Sequence, residues 1–375
     1  MTIEKDLLRI QKDKPNPYED FHLLSNPFPG AKEINLEVLS NQENVKEAFI
    51  DNLLKFGNGA DNITILGLNG AGKTSILKYF DFYVDEVRKR QYLDAIVQPV
   101  YVIAGEEDYS YLHAEIVKVV LQRTLFDVVK SYIPVSEPQT EDFNVGDNEV
   151  LNSIQRITSS QNLFSTWSIE RAEAFINWLK GNKLNPAEKK HLGNLKDIPN
   201  SSISIKYLND YLEIANRLNV VNGLVIFIDE FEHLFTYLSK AKQSRYMSDI
   251  RHLLDVLGNK VIVVFAMTPG NKDIEKYPAV NRRMGNQFQL EPISSADKAI
   301  EYVSDYMKYG KAKFIEEKNA DMNIDEIELL SPLNEQIIAD IFSELSDEGN
   351  DIVVPGMFLP RMKEEMKNIV EGATE

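Results

Sequence analysis

Two apolar runs stand out in the second half of the chain. Leu224-Val225-Ile226-Phe227-Ile228 closes on Asp229-Glu230, and Val261-Ile262-Val263-Val264-Phe265-Ala266-Met267 closes on Thr268. Unbroken runs rich in β-branched and aromatic residues predict strands covered on both faces, as in a parallel sheet. Asn62-Ile63-Thr64-Ile65-Leu66 and Pro99-Val100-Tyr101-Val102-Ile103 predict two more strands. Between them the period changes to that of helices. Val45, Phe49, Ile50, Leu53 and Leu54 share one helical face, and Leu112, Ile116, Val119, Val120 and Val128 another. Residues 75–80 open an amphipathic helix, and residues 205–218 form the helix that enters the acid-tipped strand. Strands alternating with helices predict an α/β fold.

Other stretches depart from that alternation. Residues 135–147 are polar and contain proline, residues 154–180 resume a helical period, and residues 182–200 are loop-like, with Pro186 and Pro199. Residues 133–203 therefore read as a helical insertion, holding both tryptophans, Trp167 and Trp178. These belong either to a satellite core or to a partner surface. After residue 293 the pattern is helical throughout. Ser294-Ser295-Ala296-Asp297 caps a helix through Ala299, Tyr302, Val303, Tyr306 and Met307, and residues 333–345 and 358–370 predict two more.

Candidate chemistry enters with Gly67-Leu68-Asn69-Gly70-Ala71-Gly72-Lys73-Thr74, which fits G-x-x-x-x-G-K-[ST] at every fixed position. A predicted strand precedes it and a helix beginning at Ser75 follows, the order that aims backbone N–H groups and a helix dipole at a polyphosphate. The three glycines let the backbone wrap phosphate oxygens. Lys73 would neutralise β/γ charge, and the Thr74 hydroxyl would ligate Mg²⁺. Asp229 then suits holding the same Mg²⁺ through water, and Glu230 suits polarisation of the attacking water. ATP with Mg²⁺ is the expected cofactor pair, and ATP hydrolysis the expected reaction.

Neither a Leu-Ser-Gly-Gly-Gln signature nor an Asn-Lys-x-Asp stretch occurs, so transporter-type ATPases and guanine-reading GTPases are not matched. With the phosphate loop, the acid strand and the polar-tipped strand at Thr268, the chain resembles the AAA+ superfamily, in the branch of origin-recognition-like initiators and STAND signalling ATPases. The resemblance implies an α/β P-loop NTPase core, a parallel-sheet sandwich, with a helical insertion and a small C-terminal all-α lid. It divides the chain into an arm (1–35), a nucleotide-binding core (36–292, with the insertion at about 133–203) and a lid (293–375). It implies that Thr268 is the sensor 1 residue, that Arg282 or Arg283 is an arginine finger just before the strand leading to the lid, and that Arg361 is the sensor 2 arginine. The same guanidinium groups also fit an ordinary solvated basic loop. Asn26-Pro27-Phe28 is similar to the entry segment of several bacterial members, with Phe28 either near adenine or plugging a core.

Charge narrows the partners. The chain has 375 residues, 26% of them charged, and a net charge of −17. A grip on duplex DNA draws on phosphate neutralisation, so the acidic balance disfavours direct DNA binding while leaving it open at Arg88-Lys89-Arg90, Lys189-Lys190 and residues 240–245. No cysteine occurs, which removes disulfides and thiolate metal sites. The five histidines are scattered and show no metal-ligand spacing. No apolar run reaches the ~20 residues needed to span a bilayer, and a cytoplasmic location is expected. The expectation is an ATP-driven switch or assembly factor, an ATP-dependent homo-oligomer working with effector or other protein partners. It would act in a DNA transaction such as transposition, replication or phage defence. The alternative is a STAND-like signalling ATPase that controls an effector without touching DNA.

Overall fold

The computed structural model describes residues 16–105, 107–132, 148–158, 165–270, 272–320, 322–347 and 352–372. The polar stretch predicted at 135–147 lies outside the described residues.

Five strands form one parallel sheet: β1 (Ile63–Leu66), β2 (Val97–Ile103), β3 (Gly223–Asp229), β4 (Val261–Met267) and β5 (Asn286–Gln289), in the spatial order β2-β3-β4-β1-β5. Register is continuous across the sheet. Ile103 pairs with Asp229, Ile228 with Phe265, Leu66 with Met267 on one side and with Gln289 on the other. Every residue of β3 and β4 is buried, which is why both read as unbroken apolar runs. β5, at the sheet edge, is mostly exposed and carries Asn286, Gln287 and Gln289.

Side chains beyond the ladder lock β1 in place. Asn62 accepts the Val263 N–H at 2.7 Å and donates to the Arg283 carbonyl at 2.6 Å, while Thr64 donates to the Met284 carbonyl at 2.9 Å. Gly285 follows at φ +73°, and a Cβ there would lie 1.6 Å from the Asn62 carbonyl oxygen. Only glycine fits both the backbone angle and the approach.

Thirteen helices accompany the sheet among the described residues. α1 is Glu43–Leu54, α2 Lys73–Lys89, α3 Tyr109–Tyr132, α4 Asn148–Thr158, α5 Thr166–Leu179, α6 Pro186–His191 and α7 Ser201–Arg217. α8 is His233–Tyr237, α9 Lys240–Leu257, α10 Pro278–Asn281, α11 Ala296–Lys318, α12 Glu335–Asp347 and α13 Pro355–Gly372. α6 falls where the sequence predicts only loop. Its start was encoded all the same: Asn185 caps it, Pro186 takes the first turn, and Glu188 completes a capping box with the Asn185 N–H at 2.8 Å.

The chain folds into two compact units. One comprises Asn44–Gly67 and Ile76–Gln289, and the other the described residues of Met1–Glu43, Leu68–Ser75 and Leu290–Glu375. In the first, the sheet and the helices of the predicted insertion share one continuous apolar core. Trp178 is fully buried there, stacked on Tyr207 at 4.9 Å with its indole N–H donated to the Lys196 carbonyl, whereas Trp167 is 56% exposed. The buried tryptophan thus joins the main core, not the satellite core the sequence suggests, while Trp167 packs edge-on to His191 at 5.3 Å.

The second unit has its own core, built on α11, α12 and α13 and closed by Leu23 and Phe28 from the N-terminal segment. Phe28 is 1% exposed and packs 5.9 Å from Tyr306, so it plugs a core. Ser295 caps α11 by accepting the Lys298 N–H.

Candidate nucleotide-binding site

β1 runs directly into the glycine loop. The Gly67 N–H donates to the Met267 carbonyl at 3.1 Å, extending the β1–β4 ladder by one residue before the chain turns away. Gly70 and Gly72 sit at φ +81° and +95°, left-handed angles that permit the tight wrap. Leu68, Asn69 and Gly70 are exposed, and a Cβ at Gly72 would meet nothing within 4 Å, so there is open space beside the loop. Lys73, Thr74 and Ser75 form the first turn of the 17-residue helix α2, whose N–H groups give that end its partial positive charge. The Lys73 ammonium reaches the Leu68 carbonyl at 3.4 Å. A loop of exposed backbone at a helix start, with one lysine folded against it, fits a polyphosphate.

The loop also meets the C-terminal helix. The Gly356 N–H donates to the Gly70 carbonyl at 2.9 Å, and a Cβ on Gly356 would lie 3.0 Å from both the Cα and the carbonyl oxygen of Gly70.

β1, β3 and β4 are parallel, so their C-terminal tips share one edge of the sheet. Asp229, 2% exposed, ends β3 with both carboxylate oxygens engaged: Oδ2 accepts the Tyr101 hydroxyl at 2.8 Å and Oδ1 accepts the Glu230 N–H at 2.9 Å. Burial, with Asp229, Glu230 and Asp81 nearby, pushes the Tyr101 hydroxyl well above its ordinary range, so it stays protonated and donates. Glu230 has φ +55°, a left-handed angle that costs a non-glycine residue about 1 kcal/mol or more. That turn aims Glu230 away from the strand line, and its Oε2 lies 3.2 Å from Nδ1 of His233. At the tip of β4, the Thr268 hydroxyl donates to Glu232 Oε1 at 2.5 Å.

The arginines differ in their engagements. Arg283 donates from Nε to Asp255 at 2.7 Å and from Nη1 to the Ala279 carbonyl at 2.7 Å. Arg282 is exposed, with Nε 3.3 Å from the Pro278 carbonyl at the end of α10. Arg361 is not at the start of its helix, as the sequence suggests, but in the second turn of α13. Glu344, Glu364 and Glu365 surround it at 3.4, 3.7 and 3.8 Å.

Among the described residues, no group of three or more histidines and carboxylates is arranged to hold a metal. Thr74 and Asp229 are each oxygen donors of the kind Mg²⁺ takes when most of its shell is phosphate and water. Sequence reasoning did not find Tyr101, His233 or Glu232. Only His233 had a local signal, its i+3 spacing from Glu230.

The parallel order β2-β3-β4-β1-β5, with the phosphate loop after β1 and the acid pair at the tip of β3, is an α/β P-loop fold of the kind the AAA+ resemblance implies. A family model described as BREX system ATP-binding protein BrxC/D matches residues 152–300. That match covers the acid strand and the Thr268 strand and begins after the phosphate loop. Among solved structures, the chain is similar to the Aeropyrum pernix ORC2 protein, solved as ADPNP and ADP complexes, at 13% identity and TM-score 0.43, over 89% of this chain and 70% of that one. It is similar to Aeropyrum pernix ORC1 in complex with DNA at 13% identity and TM-score 0.39, over 90% of this chain and 65% of that one. Cdc6p from Pyrobaculum aerophilum matches at 11% identity and TM-score 0.35, over 85% and 65%. Comparison with curated proteins gives no match.

Proposed function

We propose that this protein binds Mg·ATP through Gly67-Leu68-Asn69-Gly70-Ala71-Gly72-Lys73-Thr74 and Ser75 and hydrolyses it. Asp229 and Thr74 serve the metal, Glu230 polarises the attacking water, Lys73 neutralises phosphate charge, and Thr268 orients the water or γ-phosphate. The observation that carries this reading is the tip of β3. Asp229 is buried and fixed by two donors, while the next residue takes a costly left-handed turn that separates the two carboxylates into different roles. A merely structural strand end has no need of either.

Two substitutions test it. Lys73→Ala abolishes ATP binding, and Glu230→Gln keeps binding but stops turnover, trapping ATP in the protein. Unchanged turnover in Glu230→Gln would remove Glu230 as the water-activating group.

The cycle drives assembly with partner proteins, in a homo-oligomer completed by an arginine from a neighbouring copy. Arg282 suits that role better than Arg283, whose guanidinium is already committed to Asp255. Arg361 takes the sensor 2 role once released from its carboxylates. Among DNA transactions, the BrxC/D match favours phage defence. Direct DNA contact is the weaker part: Arg88, Lys89 and Arg90 already pair with Asp85 and Glu86, and Lys189 pairs with Asp197. No helix among the described residues is long and apolar enough to cross a membrane, in keeping with a cytoplasmic site of action. A STAND-like switch that controls an effector without touching DNA is the second reading, favoured by the net charge of −17. A gel shift at low salt, with and without ATP, separates the two, since absence of any shift removes the DNA-contacting reading.

A further inference from the structure

The sheet unit holds a second cavity, of about 290 Å³, which shares no residue with the phosphate loop or the acid strand. Two long helices begin at it. Asp108 caps the 24-residue α3 by accepting the Ser110 N–H at 3.1 Å, and Asn200 caps the 17-residue α7 by accepting the Ile203 N–H at 3.1 Å. Lys180, Lys242 and Arg245 stand around the same space. Against these three cations and two helix ends are two carboxylates, Asp108 and Asp249. Asp249 accepts the Ser201 hydroxyl at 2.9 Å, and burial pushes its carboxyl above the ordinary range, favouring its neutral form. The balance of the cavity is positive although the chain as a whole is acidic.

The wall is aromatic as well as basic. Tyr109, Tyr246 and His113 line the cavity at 2%, 1% and 2% exposure. Each has a buried polar atom with no hydrogen-bond partner in the protein: both tyrosine hydroxyls and Nδ1 of His113. Nε2 of His113 lies against the Ser204 hydroxyl, which also reaches the Leu179 carbonyl at 3.0 Å, and burial keeps the ring neutral by lowering its pKa to about 4.

We propose that this cavity binds a small ring-bearing anion of the size of a nucleoside monophosphate. Its phosphate would take Lys180, Lys242, Arg245 and the first turns of α3 and α7, and its ring would lie against Ile198, Pro199 and the tyrosine edges. A cavity of this volume is near the lower limit of ligand sites, which favours a mononucleotide over anything larger.

Calorimetric titration of the full chain, presaturated with Mg·ADP, tests this with three probes: uridine monophosphate, inorganic phosphate and citrate. Uridine monophosphate should bind saturably and about tenfold or more tighter than phosphate or citrate. Lys242→Glu with Arg245→Glu, both at exposed positions, should weaken it by about tenfold or more, while leaving out Mg·ADP leaves it unchanged. The neutral pair Lys242→Gln with Arg245→Gln should fall between, with melting temperature held. The proposal is overturned if none of the probes binds, if the charge-reversed protein binds as well as wild type, or if uridine monophosphate binds only when Mg·ADP is left out. Phosphate binding as tightly as uridine monophosphate overturns ring recognition.

Discussion

Tyr101, in the middle of the edge strand β2, donates its phenolic hydrogen across 2.8 Å to Asp229 at the tip of β3, the strand beside it. The register places Tyr101 opposite Phe227, two residues short of Asp229, so the ring reaches diagonally along the sheet. The bond holds one oxygen of a buried carboxylate in a single orientation. Tyr101→Phe keeps the ring and deletes the donor. A hydrogen bond to a charged group contributes about 1.5–3 kcal/mol, so the melting temperature should fall by several degrees and turnover should drop by about tenfold or more, with a higher Mg²⁺ requirement. A Mg²⁺ titration of ATPase rate reads this directly.

This contact also shows what the sequence could and could not convey. β3 and β4 were legible because burial on both faces leaves a continuous apolar run, and the glycine loop was legible because its angles demand particular residues at fixed places. β5 has no such run, since the sheet edge faces solvent, and only the family resemblance suggested a strand there. Tyr101 and Asp229 are 128 positions apart and meet only through register. The Thr268–Glu232 bond depends likewise on two strand tips lying side by side. The left-handed turn at Glu230 has no signature, because glutamate is not a residue that prefers it.

Gly356 is held to glycine by its approach to Gly70. A valine side chain there would press into the backbone of the phosphate loop and break or stretch the 2.9 Å bond to the Gly70 carbonyl. Gly356→Val should destabilise its unit by about 1–3 kcal/mol, as overpacking does, and weaken ATP binding more than ADP-independent properties such as secondary-structure content. Fluorescent nucleotide titration beside thermal melting checks both parts.

Arg282 and Arg283 should separate by readout. Arg282→Ala should leave the isolated chain's melting unchanged and lower turnover of the assembled protein by about a hundredfold or more, the scale of an arginine finger. Arg283→Ala loses a half-exposed pair with Asp255, worth below about 1 kcal/mol, and should shift stability slightly at every protein concentration. A concentration series of ATPase rates, with sizing in a slowly hydrolysed ATP analogue, tells them apart.

His113 makes stability depend on pH in a defined direction. Its folded pKa is lowered to about 4 from an ordinary 6.5, so the unfolded chain takes up the proton first as pH falls. The contribution is complete above pH 6.5 and is lost as pH falls toward 4, reaching a deficit of about 2 kcal/mol at pH 5. Urea melts at pH 7.5 and 5 should show this loss, and His113→Gln should shrink it, even if that variant is less stable at both values.

The place of β1 in the sheet has a consequence for biosynthesis. Its ladder partners are β4 and β5 alone, so Ile63 must wait for Val264 and Asn286 before it is paired. On the ribosome, the glycine loop emerges long before β4 and β5, and nothing can anchor its strand until the chain has been made well beyond residue 260, at about 5–20 residues per second. For some ten seconds or more the nascent protein therefore carries its phosphate-gripping sequence without the frame that shapes it. The shape of the phosphate loop is therefore acquired only after β4 and β5 have been made, as the late strands close over the early one.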